Sequence, residues 1–321
     1  MRAETVTRVA ILDDYQKVAA SSADWTALPA DVEVSFFHDH LDDPGALVAR
    51  LEPFEIIGIM RERTPFPGAL LERLKHLRLL ITTGPRNASI DLAAAHRRGV
   101  TVCGTRSSGH ATAELAMALI LALARGLPAE TASMRAGGWQ VGLGRDLDGA
   151  TLGVVGLGRL GGRVARLGQA FGMTTVAWSQ NLTETAAEIG VRRVDKADLF
   201  RSADFISVHL QLSPRTRGLI GADELALMKR DAYLINTSRG PIVDEEALVE
   251  ALQAGHIAGA ALDVYDREPL PPDDRLRRIP NLLLTPHIGY VTRAAYKVFY
   301  GDMVAGIAAF LAGRPQGVIA G

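Results

Sequence analysis

The stretch Thr151-Leu-Gly-Val-Val-Gly156-Leu-Gly158-Arg159-Leu160-Gly161-Gly162 decides how the rest of the chain is read. Leu152 to Val155 is a short apolar run, the pattern of a strand buried on both faces. It leads into G-x-G-x-x-G and then into Arg163 to Phe171, which has amphipathic helical spacing. Gly156 lets the strand turn sharply, Gly158 leaves no Cβ between the backbone and a pyrophosphate, and Gly161 lets the helix sit close to the strand. Phosphates would then lie at a helix N-terminus, where free N–H groups and the helix dipole favour anions. Glycine-rich turns are common. This one stands between a strand and a helix, and a second strand pattern, Thr174 to Trp178, follows at βαβ spacing. That context favours a dinucleotide site over a plain turn.

An Asp or Glu expected about twenty residues beyond the first glycine, to hold the ribose hydroxyls of NAD, is missing. Ser179 stands there, in Trp178-Ser179-Gln180-Asn181. Losing the carboxylate removes the repulsion against a 2′-phosphate, yet no Arg or Lys follows within several residues to bind one. NAD and NADP both stay open. The reading leans to NAD, because neutral Ser, Gln and Asn side chains still hydrogen-bond a ribose.

The composition narrows the class. A chain of 321 residues suggests two domains, and 48% apolar residues can fill two cores. The net charge of −1 gives no sign of a nucleic-acid or anionic-membrane partner. The single cysteine, Cys103, lies in the apolar run Val100 to Cys103 and reads as a buried thiol in a reducing, cytoplasmic setting. Met1 to Arg8 is polar and shows no signal-peptide pattern, and the apolar run Leu115 to Ala124 is too short to span a bilayer. No cluster has metal-ligand spacing, and hydride chemistry needs no metal.

Before Thr151, strand patterns at Val9 to Leu12, Val32 to Phe37, Ile56 to Met60, Leu77 to Ile81 and Val100 to Cys103 alternate with helical ones at Pro44 to Leu51, Gly68 to Leu74 and Ile90 to Arg98. Alternation of this kind argues a parallel α/β sheet covered by helices. Ala113 to Arg125 is apolar nearly all round and needs cover on more than one side, as at a domain junction or subunit interface. From Thr151 on, six strand patterns follow, at Leu152 to Val155, Thr174 to Trp178, Phe205 to Val208, Ala232 to Asn236, Gly259 to Leu262 and Leu282 to Leu284. A last helical pattern, Arg293 to Ala312, is free to return to the first domain.

Four motifs in order carry a resemblance to a known family. They are the glycine turn, Asn236-Thr237-Ser238-Arg239-Gly240, Ala261-Leu-Asp263-Val-Tyr-Asp-Arg-Glu268-Pro269-Leu270, and Thr285-Pro-His287-Ile-Gly289. The chain resembles the D-isomer-specific 2-hydroxyacid dehydrogenases, the group that holds phosphoglycerate dehydrogenase, D-lactate dehydrogenase and glyoxylate/hydroxypyruvate reductase. The resemblance implies two Rossmann-like, doubly wound parallel-sheet domains. A cofactor domain, residues 106–292, would be inserted into a flavodoxin-like catalytic domain, residues 1–105 plus 293–321. A cytoplasmic homodimer is expected.

The same resemblance implies a catalytic set. Arg239 would clamp the substrate carboxylate and polarise the carbonyl, His287 would act as acid and base, and Glu268 would orient and charge the imidazole. Taken singly, each is an ordinary strand-end residue. Their order in the chain favours the catalytic reading. Implied cofactor contacts are Gly156, Gly158, Arg159, Leu160, Gly161, Ser179, His209, Thr237, Ser238, Asp263 and Gly289. For Asp263, near the nicotinamide in the family, a simple N-cap is the competing role. His209 lies in a loop that passes the adenosine, although Gln211 stands where the family has proline. His38, His40, His76, His96 and His256 read as surface residues. His110 opens a segment near the nicotinamide, with a helix cap around Thr112 equally suitable.

At the substrate end, Thr82-Thr83-Gly84-Pro85-Arg86-Asn87-Ala88 maps onto a loop whose backbone N–H groups hold the carboxylate. Pro85 has no N–H and Arg86 adds a charge. Substrate contacts are therefore expected at Arg61, Thr83, Gly84, Arg86 and Arg239. Arg61, Arg63 and Arg86 are candidates for a second anionic group, or else solvated arginines, and Tyr290 for shaping the pocket. The implied reaction is reversible hydride transfer between NAD(P)H and a small 2-oxo acid, giving a D-2-hydroxy acid. The alternatives are an NAD(H)-sensing protein of the corepressor type and a phosphonate dehydrogenase, which keeps the same Arg-Glu-His set. Formate dehydrogenases pair their histidine with glutamine, and Glu268 argues against them.

Overall fold

In the computed structural model, residues 6–107, 109–180 and 189–320 are described. The chain divides into two compact units, Met1–Ser108 with Thr292–Gly321, and Gly109–Val291.

The first unit is a five-stranded parallel sheet of β1 (Thr7–Ile11), β2 (Val32–Phe36), β3 (Ile56–Ile59), β4 (Leu79–Thr82) and β5 (Thr101–Gly104). The strand order is β2-β1-β3-β4-β5, the flavodoxin-like order. The inner strands are continuous apolar runs because both faces are covered: Ile56, Ile57, Ile59, Leu79 and Leu80 are all fully buried. The connecting helices are α1 (Ala19–Ser22), α2 (Pro44–Leu51), α3 (Gly68–Arg73) and α4 (Leu92–Arg97). Asp43 and Asp91 cap α2 and α4 by accepting from the N–H of Ala46 and Ala94. The last helix of the chain, α11 (Arg293–Leu311), is long and apolar enough to cross a membrane, but it buries Tyr296, Phe299, Tyr300 and Met303 within this unit. Beyond it, Val318 forms an antiparallel bridge to Cys103 on the edge strand β5.

The second unit is a seven-stranded parallel sheet in the order β12-β11-β10-β9-β6-β7-β8. Its strands are β6 (Thr151–Val155), β7 (Thr174–Trp178), β8 (Arg192–Arg193), β9 (Phe205–Val208), β10 (Tyr233–Asn236), β11 (Gly259–Leu262) and β12 (Leu282–Leu284). The order reverses between β6 and β9, and open α/β sheets bind ligands at such a switch point, outside the carboxyl ends of the strands. Helix α7 (Arg159–Ala170) leaves the glycine turn, and α8 (Lys196–Ser202), α9 (Ala222–Leu227) and α10 (Glu245–Gln253) make the later crossovers.

Three elements depart from the pattern reading. Strand β8, two arginines long, is a seventh strand where six were expected, too short to show periodicity. Helix α5 (Ala111–Ala124) is followed by α6 (Leu127–Arg135), which the pattern reading lacks. Gly126 takes a left-handed conformation and Pro128 sits in the first turn of α6, so one apolar stretch becomes two helices bent by 64°. The all-round apolar α5 packs against α7, β10 and β11, burying Ala116, Leu119 and Ile120.

Candidate active site

The site in the second unit is built on the carboxyl edge of its sheet. At the end of β6, Gly156 has φ +97°, and an added Cβ would lie 2.6 Å from the carbonyl oxygen of His209. A Cβ on Gly161 would come within 2.0 Å of the Gly156 carbonyl oxygen. Helix α7 can start this close to the strand only without a side chain there. Gly158 is the opposite case: nothing lies within 4 Å of where its Cβ would be, and the residue is exposed. The turn is therefore tight underneath and open above, with Arg159 exposed and Leu160 half-buried at the start of the helix. This shape fits a pyrophosphate at the N-terminus of α7.

Two polar atoms at the neighbouring strand ends fit a cofactor as well. Thr237 Oγ1 and His209 Nδ1 are buried and have no hydrogen-bond partner among the described residues. The other ring nitrogen of His209 pairs with Ser207 Oγ at 2.8 Å. Burial depresses the His209 pKa from 6.5 to about 4, so the ring is neutral near pH 7 and offers a hydrogen bond without charge. Ser179 is half-buried just past β7, and Asn181 lies outside the described residues. The sheet also brings up basic residues that looked distant in sequence. Arg192 and Arg193 stand in register with Val176 and Ala177, and Lys196 Nζ lies 5.9 Å from the centre of the Trp178 ring while pairing with Glu224 at 2.7 Å.

Arg239 sits on a turn shaped by Asn236, a fully buried side chain at the end of β10. Asn236 donates to the Arg239 carbonyl at 2.9 Å and accepts from the Ser238 N–H at 3.0 Å. Ser238 Oγ donates to the Val208 carbonyl at 2.7 Å, tying the turn to β9, and one guanidinium nitrogen of Arg239 donates to the Ser238 carbonyl at 2.7 Å. A Cβ on Gly240 would fall 2.1 Å from the Tyr265 carbonyl carbon, so the arginine turn lies directly on the turn that carries Glu268.

Glu268 and His287 meet. His287 Nδ1 donates to Glu268 Oε2 at 2.5 Å, and Glu268 Oε1 accepts from the Tyr265 N–H at 2.9 Å. With Nδ1 engaged, Nε2 is the nitrogen left to meet a reactant. The imidazole is 18% exposed, open enough for a ligand and shielded enough for its carboxylate partner to matter. Tyr290 stands edge-on to the ring, centroids 5.3 Å apart.

His287 has φ +51°, an uncommon conformation that the surroundings must hold in place. Asp263 does this. It is fully buried, and one carboxyl oxygen accepts from Thr285 Oγ1 at 2.7 Å and the Ile288 N–H at 2.8 Å, the other from the Gly289 N–H at 2.8 Å. Burial pushes its pKa up, and these donors and the nearby His287 oppose that. An N-cap role for Asp263 is therefore set aside: both oxygens clamp the histidine loop. Tyr265 adds a second clamp, its hydroxyl within 2.8 Å of the Thr285 carbonyl and 3.1 Å of the Leu262 carbonyl. The cap around His110 is also corrected. His110 makes no side-chain cap, and Thr112 Oγ1 donates to the Gly289 carbonyl at 2.9 Å, bracing the same loop. The sequence held no signal for Asn236, Tyr265 or Thr112 in these roles, because their partners are set by the meeting of strand ends.

The substrate-end residues other than Arg239 belong to the first unit. Thr83 and Gly84 are buried, and their N–H groups donate to the Ile59 carbonyl at 3.0 Å and to Thr105 Oγ1 at 2.7 Å. Arg61 (φ +53°) turns its guanidinium toward the Thr83 carbonyl at 3.5 Å and Glu62 at 3.7 Å. Arg63, a candidate for a second anion, donates to the Asp13 carbonyl at 2.6 Å and to Tyr296 Oη at 3.3 Å, and lies 4.4 Å from the centre of the Tyr15 ring. Arg86 is exposed. His40 is no surface residue: it is 13% exposed and pairs with the buried Asp13 at 3.2 Å.

The family model for the D-isomer specific 2-hydroxyacid dehydrogenase NAD binding domain matches residues 117–289. The chain is 38% identical over 264 residues to D-3-phosphoglycerate dehydrogenase of Methanocaldococcus jannaschii, covering 81% of this chain and 50% of that one. It is 42% identical over 237 residues to glyoxylate reductase of Thermococcus litoralis, covering 70% and 71%. A crystal structure of phosphoglycerate oxidoreductase from Vibrio cholerae has a TM-score of 0.91 at 39% identity, covering 96% of this chain and 99% of that chain. The match spans about half the length of the curated phosphoglycerate dehydrogenases. The two parallel sheets agree with these comparisons, and the chain belongs to the D-isomer specific 2-hydroxyacid dehydrogenase family, whose NAD binding domain it carries.

Proposed function

We propose that this protein catalyses reversible hydride transfer between a nicotinamide cofactor and a small 2-oxo acid, forming a D-2-hydroxy acid. The observation that carries the reading is the Glu268–His287 contact, on the same sheet edge as the glycine turn and the Arg239 turn. The reduced nicotinamide supplies the hydride when bound. Gly156, Gly158, Arg159, Leu160 and Gly161 receive the phosphates, while His209, Thr237 and Ser238 present polar groups at the strand ends and Asp263 holds the Gly289 turn. Arg239 pairs its planar donors with the substrate carboxylate and polarises the carbonyl beside it. In reduction, His287 Nε2 gives its proton to the carbonyl oxygen; in oxidation, the neutral ring takes the hydroxyl proton back. Glu268 keeps Nδ1 protonated and offsets the positive charge of the imidazolium.

NAD is the expected cofactor, with NADP admitted. Ser179 offers the ribose a neutral hydrogen bond, and Arg192 and Arg193 on the next strand favour tolerance of a 2′-phosphate. The dehydrogenases and reductases among the relatives favour an enzyme over a cofactor sensor. A panel of glyoxylate, hydroxypyruvate, pyruvate and 3-phosphohydroxypyruvate with NADH and NADPH in parallel tests substrate and cofactor together. Tight cofactor binding without turnover of any 2-oxo acid would overturn the reading, and a phosphite-dependent reduction of NAD would replace it.

A homodimer is part of the proposal. Leu127, Met134, Trp139 and Val141, on α6 and the segment after it, are 50 to 70% exposed, a concentration of exposed large apolar side chains in one short segment. This supports an interface beside α5. Light scattering that gives a monomer would refute it. The buried thiol of Cys103 suits a reducing cytoplasm.

A further inference from the structure

We infer that Gly104 and Gly317 are positioning residues for the substrate. They let three stretches of backbone stack with no side chain between them, so that the segment Gly317–Ile319 backs the Thr82–Ala88 loop through the edge strand β5. The inference rests on the 2-oxo acid reading above, with this loop at its substrate end. The consecutive amides of Arg86, Asn87 and Ala88 have no acceptor among the described residues. Successive unused N–H groups suit an anion, and such a site is only as precise as what supports it.

Gly317 is the outer layer of the stack. Its carbonyl accepts from the Gly104 N–H at 2.9 Å, Val318 bridges to Cys103, and the Ile319 N–H donates to the Val102 carbonyl at 2.8 Å. The segment thus pairs, antiparallel, with the edge that β5 would otherwise leave open. A Cβ on Gly317 would fall 2.5 Å from the Gly104 carbonyl oxygen. Gly104 is the middle layer. A Cβ there would fall 2.6 Å from the Gly84 carbonyl oxygen, and 3.2 Å from both Pro85 Cα and Ile319 Cδ1. The nearest atom met in each case is backbone, which cannot swing aside as the end of a side chain can, so an added methyl has to push the next layer. Thr105 ties the middle layer to the loop. Its N–H donates to the carbonyls of Thr82 and Gly84, both at 3.1 Å, and its Oγ1 accepts from the Gly84 N–H at 2.7 Å. Gly84 and Pro85 therefore rest on β5, and the three unused amides follow directly after them in the chain. A shift of the stack reaches the loop with no flexible side chain to absorb it.

The test uses the full chain with Gly104→Ala and Gly317→Ala, and Leu51→Ala as a control. Leu51 is a fully buried residue of α2, and its truncation weakens the same unit by a cavity away from the loop. With wild type turning over a 2-oxo acid of the panel above, Gly104→Ala is expected to raise the substrate KM by about tenfold, the scale of a displaced binding group. kcat should change by less than about threefold and the dissociation constant of NADH should stay put, because the loop binds ground and transition states alike. Gly317→Ala should act in the same direction by about threefold, and it carries the test by itself if Gly104→Ala does not fold. Leu51→Ala should lower the melting temperature with the substrate KM unchanged. A second arm reads the loop directly, by amide hydrogen exchange in peptides spanning residues 82–90. Release of the bonded Thr83 and Gly84 amides should speed their exchange by about tenfold or more in Gly104→Ala, and by a smaller factor in Gly317→Ala. An unchanged substrate KM or unchanged loop exchange in the glycine variants overturns the inference. So does a rise in KM in Leu51→Ala equal to theirs at the same loss of melting temperature. Failure of wild type to reduce any 2-oxo acid would instead fault the functional reading, and the exchange arm would still judge whether the stack holds the loop.

Discussion

Two loops at carboxyl ends of parallel strands, one in each unit, are built in opposite ways. The Gly156–Gly161 turn removes side chains: its glycines let helix and strand touch below, and Gly158 stays bare above. It offers backbone. In the Thr82–Ala88 loop the fold takes the Thr83 and Gly84 amides, Pro85 has none, and the side chains of Pro85, Arg86 and Ala88 are exposed. The difference teaches how a parallel sheet can present an anion site. A bare turn requires a helix N-terminus close behind it, and α7 supplies one.

The same contrast runs through the residues behind each loop. Around His287, the buried Asp263 and Tyr265 and the half-buried Thr112 hold a ligand-facing side chain in a strained conformation. Around Asp13, the residues His40, Thr64 and Arg63 tie the first unit to itself.

The largest expected effect breaks the chemical side of the comparison. His287→Ala should lower kcat by about a hundredfold or more, the scale of a lost general acid and base, while NADH still binds. Near-normal turnover at saturating substrate would remove His287 from the reaction.

Next come the glycines. Gly161→Val should destabilise the second unit by about 1–3 kcal/mol or more through overpacking, and abolish cofactor binding with it. Gly158→Val should leave the melting temperature almost unchanged yet still weaken NADH. Equal melting losses in the two variants would show that the turn is not open above.

Acid should separate the units through opposite histidines. His209 has its pKa depressed by burial from 6.5 to about 4. Its neutral form therefore contributes stability in full above pH 6.5, lost as pH falls toward 4, by at most about 3 kcal/mol. His40 is shifted the other way: its bond to Asp13, against burial and with help from Asp42, raises its pKa above 6.5. Its contribution is complete below pH 6.5 and lost as pH rises through the raised value. In thermal melts between pH 7 and 5, His209→Gln should flatten the loss of stability and His40→Gln should steepen it. The same slope in all three proteins would refute both assignments.

The smallest effect sharpens the account of the clamps. Tyr265→Phe removes the hydroxyl that bonds the Thr285 carbonyl and should cost about 1 kcal/mol by denaturant titration, leaving cofactor affinity intact. A silent variant would leave Asp263 and Thr112 as the braces of the loop.

Much of this architecture was legible in the chain because it is written locally. Strands buried on both faces must be apolar runs, and a strand that turns into a helix beneath a phosphate needs glycine at set spacings, so the sheets and the cofactor turn could be read without coordinates. Arg239, Glu268 and His287 could be listed as candidates because each lies in a short motif at a strand end. What stayed hidden depends on partners far along the chain. Asp263 stood between a place near the nicotinamide and a simple cap until Thr285, Ile288 and Gly289 arrived beside it. Arg63 and His40 looked exposed until Asp13 took them, and β8 had no periodicity to show. The meeting of Glu268 with His287, and the use of the Thr83 and Gly84 amides by the fold, were decided only in three dimensions. Residue type and spacing determine what a group can do, but a hydrogen bond is settled by which atoms lie within about 3 Å once the strands are side by side.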